Sequence, residues 1–171
     1  MKNLLIKVAN KTREEVALVR DVQRAKRNIS MFHLLTNRVL VIEDVNVYLD
    51  DEVVLASTGA RSHQPNAVAM SDGKIIVNTA AHSLSPEIFE ALVLHELCHV
   101  KAQHRPNPVL YPMQAVLGFG YGLQMEYEAD EYAIAKGAKV VELLETLIEH
   151  LGNNRALRLR LKRAKDLTNA R

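Results

Sequence analysis

A chain of 171 residues, 48% apolar and 25% charged, with only 7 glycines and 5 prolines, has the length and composition of one globular domain that buries its own core. It is too apolar to be intrinsically disordered. A single cysteine, Cys98, excludes an intrachain disulfide and with it a secreted cross-linked scaffold, so a reducing, cytoplasmic setting is expected. The net charge of +2 is unevenly spread, with basic ends and an acidic middle from Glu43 to Glu96.

The apolar patch of Met1–Val8 is broken by Lys7 before it reaches signal-peptide length, and no signal peptide is expected. Thr12-Arg13-Glu14-Glu15 fits a capping box, and Leu18, Val22, Ala25, Ile29 and Phe32 follow at spacings of four and three. That pattern predicts a long amphipathic helix whose Arg20, Arg24, Lys26 and Arg27 form a solvated face. From Arg38 the period changes. Val39–Ile42, the alternation of Val45, Val47 and Leu49, and the run Val53-Val54-Leu55 predict two or three strands separated by acidic turns such as Asp50-Asp51. Asn66–Met70 and Lys74–Asn78 flank Asp72-Gly73, a hairpin signal.

Ser85-Pro86-Glu87 supplies a hydroxyl N-cap, a first-turn proline and an acid at the positive end of a helix dipole; this helix runs to about His104, with Arg105-Pro106 as its stop. Residues 106–125 carry no charge, but their prolines, glutamines and glycines argue against a membrane span. A buried or cleft-lining connection is the preferred reading, with peripheral membrane contact left open. Further helices are expected from Leu123 to Lys136, stopped by Gly137, and from Val140 to His150. Beyond Gly152-Asn153-Asn154 comes an amphipathic tail with seven basic residues around Leu157, Leu161 and Ala164.

The chemistry is concentrated in His95-Glu96-Leu97-Cys98-His99. Two histidines four apart lie one above the other on a helix and can close on one metal ion; the intervening Glu96 projects about 100° round the helix, placed to act as a general base rather than a ligand. A catalytic zinc needs a third protein ligand. Glu126-Tyr127-Glu128-Ala129-Asp130 supplies one, because Glu126 and Asp130 share a helix face and Ala129 and Ala133 allow close approach to the first helix. Glu126 completes a two-histidine, one-glutamate site for one Zn2+, and Asp130 would accept a hydrogen bond from the free ring nitrogen of a ligating histidine.

This combination, with Pro65-Asn66-Ala67-Val68-Ala69 and Asp72–Val77 upstream, resembles the gluzincin metallopeptidase family that includes HtpX-type proteases and CAAX prenyl endoproteases. The resemblance runs from about Val45 to Ala133, and the absence of defensible membrane spans makes the chain similar to the small soluble, minigluzincin-like branch. It implies an α+β, zincin-like domain: a small antiparallel or mixed sheet packed on the active-site helix, with further helices N- and C-terminal. One metallopeptidase domain would then cover 1–171, with an N-terminal helix in 1–37, the sheet in 38–80, metal-binding helices in 85–136 and C-terminal helices in 137–171. The implied activity is zinc-dependent cleavage of peptide bonds, with Glu96 as general base. Substrate peptide or protein would lie along an edge strand formed by Asn66, Ala67, Val68 and Ala69. The family's downstream His-Pro-Pro element and following Arg, which help stabilise the oxyanion, find their nearest counterparts in His150 and Arg155, without the prolines and with the Arg one place early.

Other residues read more blandly. Cys98 is expected to be a small buried apolar residue, His104 an exposed helix-end histidine in preference to one that approaches the cleft, Glu128 and Glu131 solvated, and His33, His63 and His82 structural. Tyr121, Tyr127 and Tyr132 are explained equally by packing and by donation to an oxyanion. Two further functions compete: a DNA-associated metalloprotease resembling the SprT type, and a latent or inactive zinc-binding module whose cleft is filled by the tail after Asn154. Nucleic-acid binding alone is the weakest reading, because solvated helix faces already explain the basic ends.

Overall fold

A computed structural model describes residues 37–58, 63–104, 121–152 and 154–170. The expected helix between Thr12 and Phe32 and residues 106–120 of the uncharged stretch 106–125 lie outside these residues. Arg38–Arg171 belong to one compact unit, an α+β arrangement of four short strands and six helices among the described residues.

Strands β1 (Arg38–Ile42) and β2 (Val45–Leu49) form an antiparallel hairpin across Glu43-Asp44, both at positive φ (44° and 68°), the backbone that two-residue hairpin turns require. The Glu43 carboxylate is also fixed by Lys101 and by Lys136 at 2.7 Å, whose ammonium groups hold it down to a pKa of about 2.

The next segment corrects the sequence reading: Val53-Val54-Leu55 is not a strand but part of helix α1 (Asp51–Thr58). The acidic pair caps helices rather than turning a hairpin. Asp50 accepts the Val53 N–H at 3.0 Å, and Asp51 accepts both the N–H and the hydroxyl of Thr79 at 2.7 Å. Val53 and Val54 are buried while Leu55 is 52% exposed, so capping and tertiary burial override the β-preference of two valines.

Strands β3 (Ala67–Ala69) and β4 (Ile75–Val77) pair antiparallel around Gly73 at φ +83°, and β4 pairs parallel with β2. The sheet is therefore mixed, in the order β1-β2-β4-β3, which leaves β3 at an edge. Buried Asn78 ties the start of β3 down. Its side-chain oxygen accepts from Asn66 N–H and, as N-cap of the short helix α2 (Thr79–His82), from Ala81 N–H, while its amide donates to the Gln64 carbonyl.

Helix α3 (Pro86–Lys101) begins at Ser85-Pro86 as expected, although the Ser85 hydroxyl makes no capping bond. Ala91 to His95, Leu97 and Cys98 are all buried, so α3 is the central element of the core, packed between the sheet and the helices that follow. It ends at Lys101, three residues earlier than the sequence suggested. Helix α4 (Tyr121–Ala135) lies against it through fully buried Ala129 and Ala133, and Gly137 at φ +85° terminates it. Helices α5 (Val140–Leu151) and α6 (Arg155–Asn169) complete the unit, with the Asn154 side chain capping α6 through Leu157 N–H at 2.9 Å. No helix among the described residues is long and apolar enough to cross a membrane.

Candidate metal centre

His95 and His99 stand one turn apart on α3, and their Nε2 atoms approach to 3.1 Å. Helix α4 brings the Glu126 carboxylate to 3.3 Å from His95 Nε2 and 3.6 Å from His99 Nε2. These three side chains could hold a metal ion. One ligand atom from each of the three lies within 4.8 Å of the other two, the two Glu126 oxygens each facing a different imidazole. A tetrahedral ion with bonds of about 2.05 Å separates its ligand atoms by about 3.3 Å, so a small closure of the carboxylate would seat one.

Orientation is set by Asp130, one turn beyond Glu126. Its Oδ1 accepts from His95 Nδ1 at 2.9 Å, as the sequence predicted, so His95 faces the cluster with Nε2. Asp130 is in turn clamped by a residue the sequence reading passed over. Arg160, on α6 and itself buried, donates from Nε to Asp130 Oδ2 and from Nη2 to Oδ1, both at 2.8 Å, and its Nη1 reaches Glu126 Oε2 at 2.7 Å. One planar guanidinium thus holds the carboxylates of both Glu126 and Asp130. The signal for Arg160 was present: it lies three residues after Leu157 and four before Ala164, on the buried stripe of α6. A charge on an apolar stripe asks for buried partners.

The local electrostatics follow. Burial and the Arg160 cation oppose protonation of His95, yet hydrogen bonds and charge from Asp130 and Glu126 outweigh them and raise its pKa to about 9. His99, disfavoured as a cation by burial and by its charged neighbour His95, falls to about 4. Burial also opposes charge on Glu126 and Asp130, but Arg160 and the histidines keep both carboxyl groups ionised well below the usual carboxylate range. Glu96 behaves in the opposite sense. Burial raises its pKa, only partly offset by the His95 cation and by a hydrogen bond from the Ala69 backbone.

His95, Glu96, His99 and Glu126 share a cavity of about 350 Å³, lined on one side by Asn66 to Ala69 of the β3 edge and on the other by α5 and α6 leucines and Arg160. The structure therefore brings together His95, Glu96, His99, Glu126, Asp130 and the Asn66–Ala69 segment. It does not bring His150 or Arg155 to them: both are exposed, and neither lines the cavity. They lie at the α5–α6 junction, and the basic residue that turns inward is Arg160, more than a turn later.

His104 is a second correction. Instead of an exposed helix end, its side chain is 8% exposed, lines the cavity and meets His99. Cys98 is buried as expected, and burial keeps its thiol protonated. Glu131 pairs with Arg163, which lies over the Tyr127 ring, and the Tyr132 hydroxyl donates to Glu43, so Tyr127 and Tyr132 serve packing. No protein-family model, curated protein or solved structure matches the chain.

Proposed function

We propose that the chain is a zinc-dependent endopeptidase with a zincin-like site of the gluzincin kind. The observation that carries this reading is the convergence of three elements on one cavity: the donor triad, the Glu96 carboxyl, and β3, the edge strand of the sheet among the described residues. Two imidazoles and one carboxylate are a donor set that suits zinc, and a bound ion of this type supplies Lewis-acid polarisation of a carbonyl and acidification of water.

The chain's own residues do the rest. Asp130 and Arg160 hold the His95 ring and the Glu126 carboxylate on the same side of the cavity. Glu96 is the general base: its raised pKa moves its proton affinity towards that of a group that takes a proton from water and returns it to a leaving amine. Along β3, Asn66 and Met70 are engaged with β4 through Asn78 N–H and Lys74 C=O. By alternation the backbone groups of Ala67 and Ala69 face away from β4. The Ala67 N–H donates to the Asn66 side chain at 2.8 Å and the Ala69 backbone to Glu96, bonds that a docking peptide would displace or leave in place by pairing with the carbonyls. An extended peptide lies along that edge, next to Glu96.

The tail reading changes sense. Leu157 and Arg160 form a wall of the cavity, so removing the tail takes a support away from the site rather than unblocking it. Three of its basic residues are engaged within the fold, Arg160 with the site carboxylates, Arg163 with Glu131 and Lys165 with Glu145, which weighs against a nucleic-acid face. The test is Glu96→Gln assayed on a mixed peptide library. It keeps its zinc content and loses cleavage by about 10²–10⁴-fold; undiminished cleavage by the zinc-loaded Glu96→Gln protein would refute the reading.

A further inference from the structure

The two histidines of the triad are not supported alike. His95 Nδ1 meets a buried carboxylate, whereas His99 Nδ1 meets another imidazole, His104 Nδ1, at 2.9 Å. His104 Nε2 lies 3.2 Å from Glu128 Oε2, and the other oxygen of Glu128 accepts from the Gln124 amide at 3.0 Å.

Proton counting permits one assignment when His99 ligates through Nε2. Its Nδ1 then carries the hydrogen and donates to His104 Nδ1, which must be the unprotonated nitrogen of that ring. His104 Nε2 carries its hydrogen and donates to Glu128, which accepts. Every donor has an acceptor, and the chain ends on a carboxylate half exposed to solvent.

The backbone is shaped to deliver this contact. His104 N–H donates to the His99 carbonyl at 3.0 Å and Gln103 N–H to Val100 at 3.2 Å, with Gln103 at φ +51°. These are the paired bonds of a Schellman ending, whose left-handed position usually belongs to glycine. The reversal folds His104 back over the helix it follows, so the same two residues are joined by backbone and by side chains.

We propose that His104 and Glu128 are positioning residues that form a hydrogen-bond relay, holding the His99 ring in the tautomer and orientation needed for metal ligation. The proposal rests on the metal reading above and adds two residues to it. The probe is Zn2+ alone, measured on the full chain by competition with a chelator.

His104→Leu weakens zinc binding by about 10–100-fold, the range seen when such supporting partners are lost. In His104→Asn the amide oxygen occupies the Nδ1 position and accepts from His99, so affinity stays within a few-fold of wild type. Glu128→Ala weakens binding in the wild-type background but not in the His104→Asn background, where the relay no longer passes through residue 128. A contact that is merely structural would not produce this dependence on background.

Should the leucine variant fail to fold, the exposed Glu128→Ala substitution alone and combined with His104→Asn carries the test. Affinity in His104→Leu within twofold of wild type, an asparagine variant as weak as the leucine one, or an equal effect of Glu128→Ala in both backgrounds overturns the relay and leaves the triad standing. A wild-type chain that binds zinc no better than Glu126→Ala overturns the triad itself, and the relay with it.

Discussion

Arg160→Met asks what the guanidinium does for the fold and for the site at once. In the metal-free protein Arg160 is the cationic partner of two carboxylates, Asp130 at 2.8 Å and Glu126 at 2.7 Å, and both it and Asp130 are nearly solvent-free. Removing one partner of a buried ion pair costs about 3–5 kcal/mol, and because the protonated His95 ring still compensates both carboxylates in part, the lower end of that range is expected. In a chain of this size that lowers the melting temperature by on the order of 10 °C.

Methionine keeps most of the apolar volume, so the loss reports charge rather than a cavity. Bound zinc replaces the single charge of protonated His95 with a double charge beside Glu126, and the penalty shrinks. By linkage the same difference reads as tighter zinc binding in the variant. Denaturant unfolding with chelator and with saturating zinc measures both quantities. Adding Asp130→Leu recovers part of the metal-free loss through the coupling between the two sites. A metal-free penalty below about 1 kcal/mol, the value of a surface pair, or equal penalties with and without zinc, would refute the reasoning.

Three further outcomes are expected. In the metal-free protein His95 holds its second proton up to a pH of about 9 while His99 loses its own near 4. Zinc therefore displaces one histidine proton, and its apparent affinity rises about tenfold per pH unit between about pH 6 and 8, levelling as pH approaches 9; calorimetry showing a flat profile would contradict it. Glu126→Ala removes one of three donors and lowers zinc stoichiometry or affinity sharply while Asp130 and Arg160 keep the fold, so equilibrium dialysis giving unchanged binding would dispose of the three-ligand site. Gln103→Gly relieves the left-handed backbone at φ +51° and stabilises the protein by about 1 kcal/mol in chemical denaturation.

Helical periodicity is a local property, so the sequence alone sufficed to pair His95 with His99 and Glu126 with Asp130, and to leave Glu96 beside the first pair. Turn and cap chemistry is local too, which is why the Asp72-Gly73 hairpin and the Gly137 stop were legible. Val53-Val54 was misjudged because the helix there depends on a cap from Asp50 and on burial, and burial is not a property of the segment itself. Arg160 and His104 needed the tertiary structure outright. Arg160 is one of several basic residues on α6 until the packing of α6 on α4 selects the one that faces two carboxylates. His104 is a few residues past a helix end until a single left-handed residue turns it back onto His99. The sequence picked out the side chains that could bind a metal, because the spacing within each of two helices puts His95 beside His99 and Glu126 beside Asp130. Only the fold decided what holds those side chains in place, because their supports come from residues as far as 65 positions away, and long-range partners leave no periodic trace in the chain.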